Sequence, residues 1–203
     1  MGDNAPANDD GSLVMGDVLE LLKEIERLRC EIAQQETKLA ELTLLAHSDP
    51  LLGLPNRRSF VACLERLIAR VDQHDVQASM ILADVDGLKM INDRHGHNAG
   101  DKALAEISGL LVASVRKDDC VARFAGDEFA ILLENTDELS AWQMALRVAE
   151  TVNEHPFQLD RVCLPLSVAV GVAPIWRGDT PDAVIARADR EMYRIKRIRP
   201  SIR

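Results

Sequence analysis

Two clusters of acidic residues, about forty positions apart, are the residues of this 203-residue chain best suited to chemistry. Asp84 and Asp86 stand where an apolar run ends, and Asp127 and Glu128 stand at the tip of a predicted β-hairpin. If the two strand ends are neighbours in one sheet, the carboxylates converge and repel each other unless a hard cation lies between them. Mg²⁺ takes oxygen ligands together with substrate phosphates. The sequence therefore predicts a phosphoryl- or nucleotidyl-transfer site.

The acidic strings also have a simpler interpretation. Aspartates that follow a strand commonly cap turns through their side chains, and a Gly-Asp turn is an ordinary hairpin signal. The hairpin nevertheless favours a metal site, because Asp127 and Glu128 are adjacent acids with no basic neighbour in sequence.

A polar segment follows the first acidic cluster and offers groups for hydrogen bonding. Asn92 and Asp101 together present a donor and acceptors that match the edge of guanine, while Lys89 and nearby backbone N–H groups can meet phosphates. The alternative is a solvated loop with Asp101 as the N-cap of the next helix. His95 and His97 stand two residues apart beside a glycine. That spacing favours structural hydrogen bonds over metal binding.

Composition limits the class of protein. Apolar residues make up 47% of the chain, enough for a core, and the length suits one domain plus an extension. The net charge of −9 argues against non-specific binding to nucleic acid, which needs a basic face. A nucleotide ligand is still compatible with this charge, because one local basic pocket is sufficient.

The cysteines and the N-terminus bear on the cellular compartment. No cysteine belongs to a CxxC pair and no histidine stands at ligand spacing, which argues against a disulfide framework or a zinc site. No apolar run approaches the length of a membrane span, and residues 1–13 are acidic and polar, typical of a disordered tail rather than a signal peptide. The sequence thus predicts a soluble cytoplasmic protein. Its cysteines are Cys30, Cys63, Cys120 and Cys163.

Residues 14–47 carry a heptad pattern that predicts a coiled coil. An apolar stripe of alternating four- and three-residue steps is narrower than a helix packed on its own domain needs, so it favours a parallel homodimer over that alternative. Gln35 is the one polar residue in the seam, and Asp49-Pro50 ends the helix. An unidentified regulatory partner is compatible with such a helix. The apolar seam residues are Val14, Val18, Leu21, Ile25, Leu28, Ile32, Leu39 and Leu42.

Residues 48–203 predict an α+β domain with a central, mostly antiparallel sheet. The order of the elements is β-α-β-β-α-β, which is typical of a split-βαβ sheet with helices on one face. A tight turn at 125–127 joins the two middle strands. Predicted helices cover about 57–72, 100–115, 139–153 and 182–195, and predicted strands cover about 79–84, 120–124, 128–134 and 164–172.

Five segments of this domain resemble the GGDEF family of diguanylate cyclases, in the family's order and spacing. They cover about Ser48 to Lys196, nearly all of the globular part. The resemblance implies a palm-like fold and the condensation of two GTP into cyclic di-GMP with release of two pyrophosphates. The alternative is a catalytically weak or inactive member that acts as a cyclic di-GMP receptor or scaffold. The segments are DPLLGLPNRRSF, DVDGLKMINDRHGHNAGD, RFAGDEFAILL, LSVAVGVA and ADREMYRIK.

The resemblance also implies roles for individual residues. Asp84, Asp127 and the Val85 carbonyl would hold Mg²⁺ (or Mn²⁺). Asp127, Glu128 and Lys196 would be catalytic, with Glu128 assisting the metal site or deprotonating the 3′-hydroxyl and Lys196 reaching the phosphates. The residues implied to contact GTP are Gly87, Leu88, Lys89, Asn92, Asp101, Arg123 and Arg199.

Arg116 and Asp119 form an RxxD string just before the hairpin. By itself such a string is more typical of a surface ion pair. At this offset, however, it matches the inhibitory product site of the family, so the resemblance implies feedback by cyclic di-GMP. The product has two-fold symmetry and requires two facing domains, which a coiled-coil homodimer would supply.

Two departures from the family pattern bear on activity. The signature is AGDEF, and Ala125 adds a methyl group at a turn where glycine permits any φ. With a negative φ the methyl is harmless, whereas a positive φ would cost on the order of 1 kcal/mol and shift Asp127. The Gly-Arg-Asn that follows the last lysine in the family is absent, and Arg199 stands one residue off register.

Overall fold

The computed structural model of the chain describes residues 10–74, 76–155 and 157–198. Contacts divide the chain into two units, residues 1–46 and residues 47–203. The helices are α1 (Asp10–His47), α2 (Arg57–His74), α3 (Leu88–His95), α4 (His97–Ser114), α5 (Glu138–Glu154) and α6 (Pro181–Ile198). The strands are β1 (Ala78–Val85), β2 (Cys120–Ala125), β3 (Glu128–Glu134), β4 (Phe157–Leu159), β5 (Val162–Leu164) and β6 (Val168–Ile175).

Helix α1 carries the heptad pattern and begins at Asp10, inside the segment predicted as a disordered tail. Residues 1–9 of that tail lie outside the described part of the chain. Within 10–74, 76–155 and 157–198, no helix combines the length and apolarity needed to cross a membrane. The described seam side chains are 42% to 65% exposed in the single chain: Leu21, Ile25, Leu28, Ile32, Leu39 and Leu42.

Strand β1 lies inside a four-stranded sheet of order β2-β3-β1-β6. Every pairing in that sheet is antiparallel, as predicted. Seven of the eight β1 residues are buried, and Asp84 near its end is half-buried. Because this apolar run does not alternate with polar residues, both faces of the sheet must be covered.

Helices cover both faces of the sheet, so the prediction of helices on one face is wrong. Ile81, Ala83 and Val85 pack with residues of α3, α4 and α5 in one core cluster. The alternate residues Met80 and Leu82 pack with α2 and α6 in a second cluster. The order of elements alone is compatible with helices on one face or on both faces of the sheet. The apolar residues on both faces of β1 decide between these arrangements.

Two predicted segments differ from the structure. The polar segment 89–101 is helical in α3 and α4, which are joined at Gly96 with a positive φ of 84°. Asp101 therefore lies inside α4 and is not its N-cap. The strand predicted over 164–172 is divided between β5 and β6, because Pro165 follows β5 directly and cannot donate a ladder hydrogen bond. The short β4–β5 hairpin was not predicted.

Candidate active site

The sheet register places the two acidic clusters side by side. Asp84 on β1 stands directly opposite Glu128 on β3. One residue further, the Val85 N–H donates to the Asp127 carbonyl at 2.9 Å, which holds the hairpin turn against the end of β1. The strand ends that carry the carboxylates are thus neighbours, as a shared site requires.

The hairpin that carries Asp127 contains an irregularity in β2. Arg123 pairs with Phe129 and Ala125 pairs with Glu128, which leaves Phe124 as an extra residue between them. The Phe124 ring is buried and meets Phe60 of α2 edge-on, with 5.6 Å between ring centroids. Bulges of this kind bend a strand and re-aim the residues beyond it. Here the residues beyond it form the turn at the site.

Ala125 in the AGDEF signature does not adopt a left-handed conformation. In the described part of the chain, the non-glycine residues with positive φ are Asn135 and Asp160. The methyl group of Ala125 therefore has no steric cost from φ at this turn. The replacement of glycine by Ala125 therefore causes no backbone strain that would shift Asp127.

Arg123 connects the turn to the start of the globular unit. Its Nε and Nη2 atoms donate to the Gly126 carbonyl at 3.1 and 2.7 Å, and its Nη1 donates to both carboxylate oxygens of Asp49 at 3.1 Å. The pair is largely buried, with 17% and 15% of the two side chains exposed. Arg123 thus positions the turn beside Asp127. A contact with GTP stays a prediction.

Lys196 reaches the site from the last helix. Gly171 on β6 lets α6 approach closely, since a Cβ at that position would lie 2.3 Å from both the Ala188 carbonyl oxygen and the Met192 nitrogen. One turn beyond Met192, the Lys196 Nζ lies 2.5 Å from Asp84 Oδ1. The predicted lysine therefore joins the predicted carboxylates in space.

Negative charge dominates this edge of the sheet. Burial raises the pKa of Asp84, and Asp127 and Asp86 raise it further while Lys196 lowers it. The pKa of Glu128 is also raised, first by burial and then by repulsion from Asp84, Asp127 and Asp189. Lys196 offsets only part of this repulsion, so the site favours a further cation.

A buried acceptor without a hydrogen-bond donor lies at the predicted guanine contact. Asn92 Oδ1 in α3 has no hydrogen-bond partner in the described structure. It is packed against Gly100 of α4, where a Cβ would lie only 2.0 Å from it. Asp101 follows Gly100 directly and is exposed. The two predicted guanine contacts therefore stand on neighbouring turns of α3 and α4.

The start of α3 carries the residues predicted to contact phosphates. Gly87 precedes the helix with a φ of 71°, a conformation that side chains disfavour. Lys89 is exposed, whereas only 8% of Leu88 is exposed and its side chain belongs to the core. Leu88 can therefore meet a ligand only through its backbone. Arg199 lies outside the described residues.

Arg116 and Asp119 form a closed turn. The Arg116 N–H donates to Asp119 Oδ2 at 2.8 Å, and the Asp119 N–H donates back to the Arg116 carbonyl at 3.1 Å. These bonds use the Arg116 backbone, and its side chain is exposed. The turn borders a surface hollow of about 400 Å³, which Asp118, Glu134 and Asn135 also line. This turn directly precedes β2, outside the carboxylate cluster.

The donor set at the carboxylate edge is small. Among the described residues, no group of three or more His, Cys, Asp and Glu side chains is arranged to hold a metal ion. The predicted metal site differs from such a group, because it uses two carboxylates and the Val85 carbonyl. Oxygen donors of this kind suit a hard cation that keeps part of its coordination for water or phosphate.

A family profile described as "Diguanylate cyclase, GGDEF domain" matches residues 46–200. The chain belongs to the GGDEF family. This match confirms the family that the five segments predicted. The matched range includes the turn at Asp127 and the end of α6.

Two relatives of this GGDEF chain from Pseudomonas aeruginosa are named diguanylate cyclases. DgcP is 32% identical over 184 residues, which are 91% of this chain and 27% of DgcP. TpbB is 36% identical over 182 residues, which are 87% of this chain and 40% of TpbB. The chain thus spans less than half the length of these relatives.

A solved structure confirms the fold. The diguanylate cyclase SiaD from Pseudomonas aeruginosa, crystallised with its activator SiaC, matches with a TM-score of 0.73 at 30% identity. The match covers 92% of this chain and 72% of the SiaD chain. The α+β, palm-like architecture predicted for this GGDEF chain is therefore confirmed.

Three acidic or polar residues near the GGDEF site were not among the sequence predictions. Asp49 anchors Arg123, Asp189 raises the pKa of Glu128 after burial and the nearer carboxylates, and the Ser167 hydroxyl donates to Asp86 at 2.9 Å. Each lies in or beside a segment that resembles the family. The local sequence pattern identified Asp49 only as part of the helix break and did not identify Asp189 or Ser167. The partners of all three residues are distant in sequence, so local patterns do not reveal them.

Proposed function

We propose that this chain condenses two GTP molecules into cyclic di-GMP and releases two pyrophosphates. The observation that carries the proposal is the register of Asp84 against Glu128, with Lys196 on Asp84. Carboxylates and a lysine at one sheet edge suit a site that holds a cation together with nucleotide phosphates. Membership of the GGDEF family and the names of its relatives support the same activity.

Asp84, Asp127 and the Val85 carbonyl would hold Mg²⁺ or Mn²⁺. The residues fit such a cation, because they offer hard oxygen donors and because mutual repulsion contributes to the raised pKa of Asp84 after burial. When bound, the cation supplies charge neutralisation at the triphosphate. Lys196 would share that role, since its ammonium group lies against Asp84.

Asn92 and Asp101 would read the base. Guanine presents N1–H and N2–H donors on one edge. The exposed Asp101 carboxylate would accept them, and the half-buried Asn92 amide would contact the same base. Adenine lacks this pair of donors on the same edge, so it would leave the Asp101 carboxylate unpaired. The site should therefore prefer GTP over ATP by about 10²-fold or more.

The phosphates and the reacting hydroxyl would meet different parts of the site. The first turn of α3 presents backbone N–H groups after Gly87, and Lys89 is exposed beside them. Glu128 would assist at the metal site or deprotonate the 3′-hydroxyl, because its carboxylate stands opposite Asp84 at the same strand ends. Its proton acceptor role requires the carboxylate form at the working pH.

Two copies of the chain would be needed for each product molecule. Each GTP donates its 3′-hydroxyl to the α-phosphate of the other, so two sites must face each other about a two-fold axis. The exposed seam of α1 would pair two chains and raise the effective concentration of one site near the other. SiaD was crystallised with an activator, SiaC. A regulatory partner of this chain would act through helix α1.

The first experiment measures the product. The full chain is incubated with GTP and Mg²⁺, and cyclic di-GMP and pyrophosphate are quantified with chelator and Mn²⁺ controls. We expect two pyrophosphates for each cyclic di-GMP, with activity lost on chelation. Asp127→Asn should abolish synthesis without lowering the unfolding midpoint. Binding of cyclic di-GMP without any synthesis would favour the receptor alternative instead.

The exposed Arg116 side chain would bind the product and inhibit synthesis. A guanidinium group makes charge-assisted hydrogen bonds to phosphate and guanine, and the Asp119 turn holds it beside the surface hollow. We expect Arg116→Ala to relieve inhibition by added cyclic di-GMP while leaving the initial rate unchanged. Lys117→Ala, next in the same turn, is the matched control. Equal product sensitivity in wild type and Arg116→Ala would contradict this site.

A further inference from the structure

Helix α2 and strand β2 pack side by side, and their contacts bring two cysteines together. Near the site end of β2, Arg57 lies over the Phe124 ring at 4.6 Å and Phe60 packs on the same ring. Further along α2 and further back along β2, Cys63 and Cys120 pack against the same core cluster. Cys63 also contributes, after burial, to the raised pKa of Cys120, as a neighbouring side chain would. Both are free thiols.

The two thiols have different surroundings. Arg66 Nη2 donates to Cys63 Sγ at 3.0 Å, so a guanidinium group lies against this sulfur. Burial, followed by the neighbouring Cys63, raises the pKa of Cys120 to about 12. Both side chains are half-buried, so a small oxidant can reach them. The guanidinium contact thus distinguishes Cys63 from Cys120 as the sulfur for a first reaction.

We propose that Cys63 and Cys120 form a redox-sensitive pair that hydrogen peroxide oxidises to an intramolecular disulfide joining α2 to β2. The Cys63 sulfur attacks one peroxide oxygen, the O–O bond breaks, and the products are a sulfenic acid and water. The Cys120 sulfur then attacks the sulfenic sulfur. The S–S bond forms, the S–O bond breaks, and hydroxide leaves as water with the Cys120 proton. Two thiols lose two electrons and two protons, and the peroxide becomes two waters.

The position of Cys120 connects this chemistry to the Arg116–Asp119 turn. Cys120 directly follows Asp119, whose carboxylate and N–H both bond to the Arg116 backbone. A disulfide brings its sulfurs to about 2.05 Å, closer than any non-bonded contact, so closure draws the Asp119–Cys120 peptide toward α2. Oxidation is expected to weaken cyclic di-GMP binding at this turn several-fold. This consequence rests on the proposed function, whereas formation of the disulfide does not.

The test uses the full chain with Cys30→Ser and Cys163→Ser, because both of these cysteines are exposed and could cross-link two chains. The protein is treated with hydrogen peroxide, free thiols are alkylated, and peptides are measured by mass spectrometry. We expect a Cys63–Cys120 linked peptide, a protein two hydrogens lighter, and reversal by dithiothreitol. In Cys120→Ser, dimedone should trap a sulfenic acid on Cys63. In Cys63→Ser, trapping on Cys120 should be much weaker.

Arg66→Gln tests the environment of Cys63 in the same background. The disulfide should form several-fold more slowly than with Arg66, while Arg70→Gln, one turn further along α2, should leave the rate unchanged. Absence of the linked peptide from a protein that still unfolds cooperatively would overturn the proposal. Preferential oxidation of Cys120 would overturn it as well.

The link to the product site is measured by titrating cyclic di-GMP against the reduced and the oxidised protein. Weaker binding after oxidation, restored by dithiothreitol and absent in Cys63→Ser, is the expected result. Equal binding would overturn the link to the turn. A chain that forms the disulfide but neither makes nor binds cyclic di-GMP would contradict the proposed function, and the two failures are therefore distinguishable.

Discussion

At the scale of single residues, charge decides what the candidate site can do. Asp84 and Glu128 are half-buried and opposite each other, and burial and neighbouring acids raise the pKa of both. Lys196 offsets part of this repulsion at Asp84. Carboxylates that repel each other are well suited to bind a cation that also holds a polyphosphate, because the cation relieves the repulsion.

The raised pKa of Glu128 predicts that its neutral isostere stabilises the metal-free protein. The folded chain binds more protons than the unfolded chain between pH 4.5 and the raised folded pKa, so the free energy of unfolding falls as pH rises through that window. Glu128→Gln removes this loss. At neutral pH in chelator, its unfolding midpoint should be higher than that of wild type by about 2 °C, and the difference should vanish below pH 4.5.

Thermal unfolding across pH measures this effect, with Glu150→Gln as the control. Glu150 is exposed on α5, so its isostere should leave the midpoint unchanged at every pH. A gain that persists in acid, or an equal gain in the control, would contradict the electrostatic explanation.

Lys196 predicts a second result at this scale. Lys196→Met removes the ammonium group from Asp84 and from the phosphates, and kcat should fall by about 10²-fold. Lys196→Arg keeps the charge and should retain most of the activity. Steady-state rates of pyrophosphate release measure both. Lys196→Met with kcat near that of wild type would show that the ion pair has no part in turnover.

At the scale of elements, α6 is positioned by the absence of a side chain beneath it. Gly171 on β6 lies against the α6 backbone at Ala188 and Met192. The same helix then carries Lys196 to the end of β1. A strand glycine that permits close approach of a helix is therefore part of how the site is assembled.

Gly171→Ala should destabilise the fold and impair the site together. The added methyl meets backbone atoms at 2.3 Å, so α6 must shift, at a cost of about 1–3 kcal/mol. Urea unfolding and the rate of GTP turnover measure the two effects. Gly109→Ala on α4 is the control, because a Cβ at position 109 meets nothing within 4 Å. This substitution should stabilise the helix by up to about 1 kcal/mol. Equal stability of the two variants would contradict the role of Gly171.

At the scale of the whole molecule, the symmetry of the proposed product requires a second chain. The seam of α1 is exposed in the single chain, and a row of exposed apolar residues at heptad spacing is satisfied by pairing with another helix. The helix and the globular unit would then serve one function, since pairing raises the chance that two half-sites meet.

A charge placed in the seam should separate the chains. Ile32→Asp introduces a carboxylate at a seam position, and Gln34→Asp introduces the same group on the outer face of the same helix. We expect Ile32→Asp to lower specific activity at nanomolar protein and to recover at high concentration, while Gln34→Asp behaves as wild type. Sedimentation and activity across a dilution series measure this. Loss of activity without a change in mass would contradict the coupling.

Local chemistry in the sequence determined much of this protein. The apolar run of β1, the hairpin at 125–127, the heptad pattern and the acidic clusters each depend on neighbours within a few residues. Such patterns fix the type of an element and the kind of group it carries. They sufficed for the family, and with the family resemblance they singled out Asp84, Asp127 and Lys196, whose roles stay predictions.

Only the tertiary structure decided which of these residues meet. The register of Asp84 against Glu128, the contact of Lys196 with Asp84 and the packing of Cys63 and Cys120 on one core cluster all join elements distant in sequence. In sequence, the scattered cysteines argue against a disulfide framework and against a zinc site, and no pattern relates Cys63 to Cys120. The helices α3 and α4 and the placement of helices on both faces of the sheet also depend on packing. Strand β1 is apolar on both faces, so helices must cover both, and the local sequence pattern does not show which helix covers which face.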